Sequence, residues 1–236
     1  KFEQAEIKFK EAAKLDSTNP KIYQNLAKMY LWFYLGSKEE NYLNQFKSYS
    51  RKALNLTEKK LDVEETAEWK FIEGQIYTDL ATARTTDGDM MDAFWASKSA
   101  VASFEDALEI DPKYYDAYLG IGIFNYYLSY VPGFLKFAIG ITGLTADKKI
   151  GLENIEKTYK FGTTEKYEAG FHLCKFLAEY HGDFERAKII ADEIVKKYPD
   201  NLMYHYHRAI VMLESKELAE AEKSLKKIID ANNEKY

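Results

Sequence analysis

Four histidines and one cysteine are the side chains of this sequence best suited to act as nucleophile, base or soft metal ligand. His205 and His207 in "YHYHR" stand two apart, which on a helix turns them to different sides, whereas a chelating pair needs i, i+4. His172 precedes Cys174 by the same interval, so no metal site is expected. The run "DGDMMD" (87–92) opens like a calcium loop. Met91, however, occupies a ligand position and Lys98 stands where the bidentate glutamate should be, so the run reads as a turn between helices. "GIG" (120–122) lacks the third glycine of a dinucleotide loop and follows no strand, and so reads as tight helix packing. Glu105, Asp106, Glu109 and Asp111 form a solvated helix face with no nucleophile beside them. With no Gly-x-Ser-x-Gly, phosphate loop or activated serine, neither catalysis nor a cofactor is expected.

The elements that carry these residues follow from composition. Net charge is −5, from 38 acidic and 33 basic residues, which argues against a nucleic-acid partner, since phosphate binding needs clustered Lys and Arg. Four prolines and twelve glycines in 236 residues, with 30% charged, point to a mostly helical soluble protein. A lone cysteine excludes an intramolecular disulfide framework and fits a cytoplasmic or a periplasmic location equally. The chain opens at Lys1 without Met or a leader, as a processed chain or a fragment would.

Internal periodicity is the strongest signal. In "GDFERAKIIADEIVKKYPDN" and "KELAEAEKSLKKIIDANNEK", Ala187 and Ala221 are 34 apart (221 − 187), as are Pro199 and Asn233 (233 − 199). The chain resembles tetratricopeptide repeats, whose period this is. Tyr23, Leu26, Ala27 and Tyr30 match a first helix, as do Tyr118, Ile121 and Gly122. Phe2, Ala5, Phe9 and Ala12 match a second helix, as do Ala100, Phe104, Ala107 and Pro112. Ala187, Ala191 and Ile194, then Ala221, Leu225 and Ile228, continue the set. The resemblance implies an all-α, right-handed α-solenoid of antiparallel helix hairpins, one domain over 1–236 with about five hairpins. Phe2 falls where a second helix begins, so the first hairpin is incomplete and the natural protein is expected to continue upstream with the partner helix.

Two departures predict tall early hairpins. Tyr23 to Ala53 spans 30 residues (53 − 23) and Trp69 to Ala100 spans 31 (100 − 69), against roughly 23 and roughly 16 in the repeat pattern. The excesses equal roughly one and roughly two whole turns on each paired helix, with the longer hairpin turning near "TTDGD" (85–89).

From Ala117 to Leu135 nineteen residues carry no charge, long enough to span a bilayer. Asn125, Ser129 and the helix-breaking Pro132-Gly133 argue against a transmembrane span. An apolar insertion near 131–146 is expected instead, rejoining the repeats where Thr145 caps a helix beginning near Ala146. Gly122, Phe124, Asn125, Leu128, Ser129 and Pro132, then Leu135, Lys136, Asp147, Lys148, Gly151 and Leu152, resemble a segment of the eukaryotic inclusion-body-clearance (Iml-type) tetratricopeptide family. That likeness implies an adaptor near proteins or organelle surfaces.

The repeat register implies a concave, peptide-binding face. It would carry Lys28, Trp32 and Tyr77, then Leu119, Ile123, Tyr126 and Tyr127. Further along it would carry His172, Phe176 and Tyr180, then Tyr206 and Ile210. Lys28 and Lys70 remain of the clamp that grips acidic chaperone tails, but its Asn partners are missing. So apolar a face favours a hydrophobic or amphipathic protein segment. The alternative is a carrier or membrane-surface adaptor sheltering an apolar molecule around 118–146, and the insertion or the C-terminus could equally fill the groove.

Overall fold

In the computed structural model the described residues are 2–131 and 147–233. The insertion expected near 131–146, including Thr145 and Ala146, lies almost wholly outside them. All regular structure among the described residues is helical, and by contact the chain divides into two compact units, Lys1–Phe124 and Asn125–Tyr236. In a repeat array each hairpin touches only its neighbours, so such subdivision is natural.

The first unit holds α1 (Phe2–Leu15), α2 (Pro20–Ser37), α3 (Glu40–Leu61), α4 (Ala67–Asp87) and α5 (Met90–Ile110). A 3-10 turn, Tyr115–Ala117, leads into α6 (Tyr118–Leu128), whose last residues belong to the second unit. That unit continues with α7 (Lys148–Phe161), α8 (Lys166–Phe176), α9 (Phe184–Lys197), α10 (Leu202–Glu214) and α11 (Leu218–Asn233). The elongated early hairpins are present: α2 to α5 run 18, 22, 21 and 21 residues, whereas α7 to α11 run 14, 11, 14, 13 and 16. The longest hairpin turns where "TTDGD" places it, with Gly88 left-handed at φ 86 and the Asp89 amide donating to the Arg84 carbonyl at 2.9 Å.

Local chemistry sets the helix starts. Asn19 accepts from the Lys21 amide at 3.1 Å just ahead of Pro20, and Asn201 accepts from Met203 at 3.1 Å. At α7 the expected start is corrected. The cap is Asp147, whose Oδ1 accepts from the Lys149 and Ile150 amides at 2.7 and 3.0 Å, so the helix begins at Lys148. A carboxylate satisfies two orphan donors there and suits the positive end of the helix dipole.

Small residues lie where the helices meet. Ala27, Ala53, Ala107, Ala187 and Ala221 are all buried. Phe104 is clasped between two glycines: a Cβ added to Gly74 would come within 2.5 Å of its ring, and one added to Gly120 within 2.1 Å. Gly170 meets Tyr159 and Ile194 in the same way at 3.0 and 3.1 Å. Leu225 of the repeat pattern is 37% exposed, whereas Ser224 beside it is buried and accepts from Arg208 at 2.8 Å. Among the described residues no helix is long and apolar enough to cross a membrane, and α6 ends at Leu128 after 11 residues.

Candidate functional site

Cys174 is buried, its thiol donates to the Ala187 carbonyl at 3.3 Å, and burial raises its pKa to about 12, so the thiolate nucleophile does not form near neutrality. Among the described residues no three His, Cys, Asp or Glu side chains converge as metal ligands.

The second unit gathers aromatic rings. Tyr126 of α6 and Phe176 of α8 stack at 3.9 Å with planes 11° apart, and both are fully buried. The Tyr126 hydroxyl lies 3.2 Å from His181 Nε2 and accepts from the Tyr130 hydroxyl at 3.2 Å. Burial, reinforced by Tyr130, pushes the Tyr126 phenol far above its ordinary range. The Lys148 ammonium lies 5.1 Å over the Tyr130 ring and 5.7 Å over Tyr126. At Tyr130 partial burial raises the pKa, but hydrogen bonds with Lys148 and Tyr126 outweigh it and leave the phenol below its usual value. His181 is lowered, by burial first and then by Lys148.

Around this stack stand rings that solvent reaches. Tyr127 is 43% exposed and meets Phe176 edge-on at 5.4 Å; Tyr180 is 45% exposed and lies 6.0 Å from Tyr126 and 5.4 Å from Tyr130. His172, half-buried, is 6.0 Å from Phe176 and 5.3 Å from Phe171, which meets His207 of α10 at 4.0 Å. Tyr206, half exposed, continues the chain from His207 at 6.0 Å, and Ile210 lies half-buried one turn on. Ring contacts thus run from α6 through α8 to α10 within one unit.

Of the residues expected on the binding face, the structure brings Tyr126, Tyr127, His172, Phe176, Tyr180 and Tyr206 into this network. Tyr126 and Phe176 form its buried floor and present no surface. In the first unit Leu119 is buried too, Lys28 and Ile123 are half-buried, and Trp32 is exposed. Tyr77 packs half-buried against the core that holds Phe71 and Phe104. Sequence reasoning missed Phe171, Tyr130, Lys148 and His181. Tyr130 stands four after Tyr126, a readable helical interval, whereas His181 is brought in by a π turn, Leu177–His181, that no residue pattern announces.

No protein-family model matches the chain, and no curated protein matches it. Among solved structures, the crystal structure of MamA superposes with a TM-score of 0.52, covering 84% of this chain and 96% of that one at 15% identity. The human IFIT1 dimer with PPP-AAAA gives 0.44, covering 95% of this chain and 58% of that one at 15% identity, so the match takes in little more than half of that protein. At this identity the likeness to MamA, a tetratricopeptide-containing structure, is one of fold: the chain has a tetratricopeptide-like helical-repeat fold.

Proposed function

We propose that the protein is a non-enzymatic scaffold or adaptor that holds a hydrophobic or amphipathic segment of another protein on the aromatic face of α6, α8 and α10. One observation carries this reading. Tyr127, Tyr180 and Tyr206 stay 43 to 50% exposed although each touches a ring of one continuous network. Tyrosine offers large contact area at low conformational cost and is enriched where interfaces concentrate their energy. The repeat fold supports the reading, since stacked hairpins present their first helices along one surface. The resemblance of residues 122–152 to the inclusion-body-clearance family points to the same adaptor role.

The test uses exposed positions, so that binding and folding are read separately. A photo-reactive side chain at Tyr206 should capture a protein segment in extract of the native cell. Tyr127→Asp with Tyr180→Asp should cut that capture by roughly 30-fold or more, the loss of about 2 kcal/mol typical of a central interface residue. Far-UV circular dichroism should stay unchanged. Capture that survives both substitutions places the interface elsewhere. A carrier of apolar molecules around 118–146 would instead show a co-purifying lipid in native mass spectrometry.

A further inference from the structure

A concavity lies between α3 and α4 in the first unit. Its volume is about 270 Å³. Two facing stripes build it, 46, 47, 50, 51 and 54 on α3 and 80, 83, 84 and 87 on α4, each following the helical interval. They belong to the middle of α3 and the C-terminal end of α4, in the helices that exceed the repeat length.

Phe46, Leu54, Leu80 and Ala83 make the floor apolar. Among them stands Ser50, 2% exposed, whose hydroxyl has no hydrogen-bond partner among the described residues. That is unusual within this chain. Ser97 and Ser103, also inside a helix, donate to the carbonyl one turn back at 2.8 and 3.1 Å. A buried hydroxyl left alone is costly, and its presence on a cavity wall points to a ligand atom.

The mouth is cationic. Lys47 and Arg51 stand one turn apart, both exposed, and among the described residues neither enters an ion pair. Arg84, the third cation, is held by Asp92 at 2.9 Å. Asp87 is the one carboxylate of the lining, and it accepts the Tyr34 hydroxyl. Arg84 is neutralised by Asp92 and Asp89, which leaves Lys47 and Arg51 as two unpaired cations that select an anion, and the apolar floor selects what the anion must be attached to.

We propose that this cleft binds a small carboxylate carried on an unbranched apolar chain, a fatty acid of medium length, with Lys47 and Arg51 on the carboxylate and Ser50 hydrogen-bonding one of its oxygens. A peptide fits worse. The walls are helix, whose backbone groups are already bonded internally, so peptide amides entering the cleft would lose water without gaining partners. An acyl chain has no such groups. The volume lies just below the range that takes drug-sized ligands, which suits a chain of about eight carbons.

Isothermal titration of the full chain with sodium octanoate should show one site. Lys47→Glu with Arg51→Glu, both on an exposed helix face, should weaken it at least tenfold, as expected for losing charge-assisted hydrogen bonds. Ser50→Ala should weaken it at least threefold with helix content unchanged, and octan-1-ol, which lacks the carboxylate, should bind at least tenfold more weakly. Equal affinity for octanol and octanoate, or unchanged octanoate affinity in either variant, overturns the assignment. So does tighter binding of acetyl-leucyl-leucine with a free carboxylate, which would make the cleft a peptide-terminus site.

Discussion

Gly120 tests whether close helix approach holds the repeat together. A Cβ there would sit 2.1 Å from the Phe104 ring, so in Gly120→Ala the ring must retreat about 1.3 Å (3.4 − 2.1) to restore ordinary contact. Phe104 is 3% exposed and lies against Phe71 at 5.7 Å, so the retreat disturbs a packed core. Overpacking of this kind costs about 1–3 kcal/mol. Alanine returns about 1 kcal/mol through its helix propensity. The close approach puts the steric cost at the upper end, and the net loss should be about 1–2 kcal/mol, read as a lower urea midpoint. Gly36→Ala is the control. It also lies in a helix, but its added Cβ would meet nothing within 4 Å, so the same change should raise the midpoint. The double variant Gly74→Ala with Gly120→Ala closes both sides of the ring and should lose more than the sum of the singles. If Gly120→Ala and Gly36→Ala shift the midpoint in the same direction, the small-residue contact is not what holds these helices at their spacing.

Two further outcomes bear on the second unit. His207 has its pKa lowered from 6.5 to about 4, by burial first, then by Lys175 and His172, with Glu168 opposing. The unfolded chain therefore takes up a proton that the folded chain refuses, and stability should fall as pH drops from 6.5 toward 4, by at most about 1.4 kcal/mol per pH unit for this one group. Melting temperatures at pH 7 and pH 4.5 should differ less in His207→Phe than in the parent; an undiminished difference assigns the acid sensitivity to other groups. Arg208 donates to Asp192 at 2.6 Å, to Glu220 at 2.6 Å and to Ser224 at 2.8 Å, tying α10 to both α9 and α11. Arg208→Ala should cost about 2 kcal/mol in chemical denaturation, and Arg208→Lys should recover little, since an ammonium cannot reproduce the planar fork.

The hairpins were readable because their constraint is local in type and periodic in position. Alanine recurring at Ala187 and Ala221 is a steric statement, and helix lengths that differ by whole turns keep the apolar faces aligned. Sequence alone does not rank Asp147 above Thr145 as a cap, because both are ordinary capping side chains two residues apart. The cleft beside Ser50 has no signature at all. It depends on α3 and α4 meeting through extra turns for which the repeat pattern has no counterpart, so neither stripe alone marks a cavity.

The binding face shows why register alone cannot separate floor from surface. The register assigns both Tyr126 and Tyr127 to the groove, yet adjacent residues on a helix point about 100° apart, nearly the width of an apolar face. One of them must turn inward, and it is Tyr126, stacked on Phe176 at 3.9 Å, while Tyr127 stays 43% exposed. Phe176 and Tyr180, four apart, do share a side and their rings meet at 6.1 Å, but Tyr180 lies in the π turn and is 45% exposed. The buried pair therefore acts on a partner only through the rings it positions. A charge placed at Tyr126 or Phe176 would destroy the core and any interface together. A charge placed at an exposed ring, Tyr127, Tyr180 or Tyr206, separates the two, and such positions show whether this face binds.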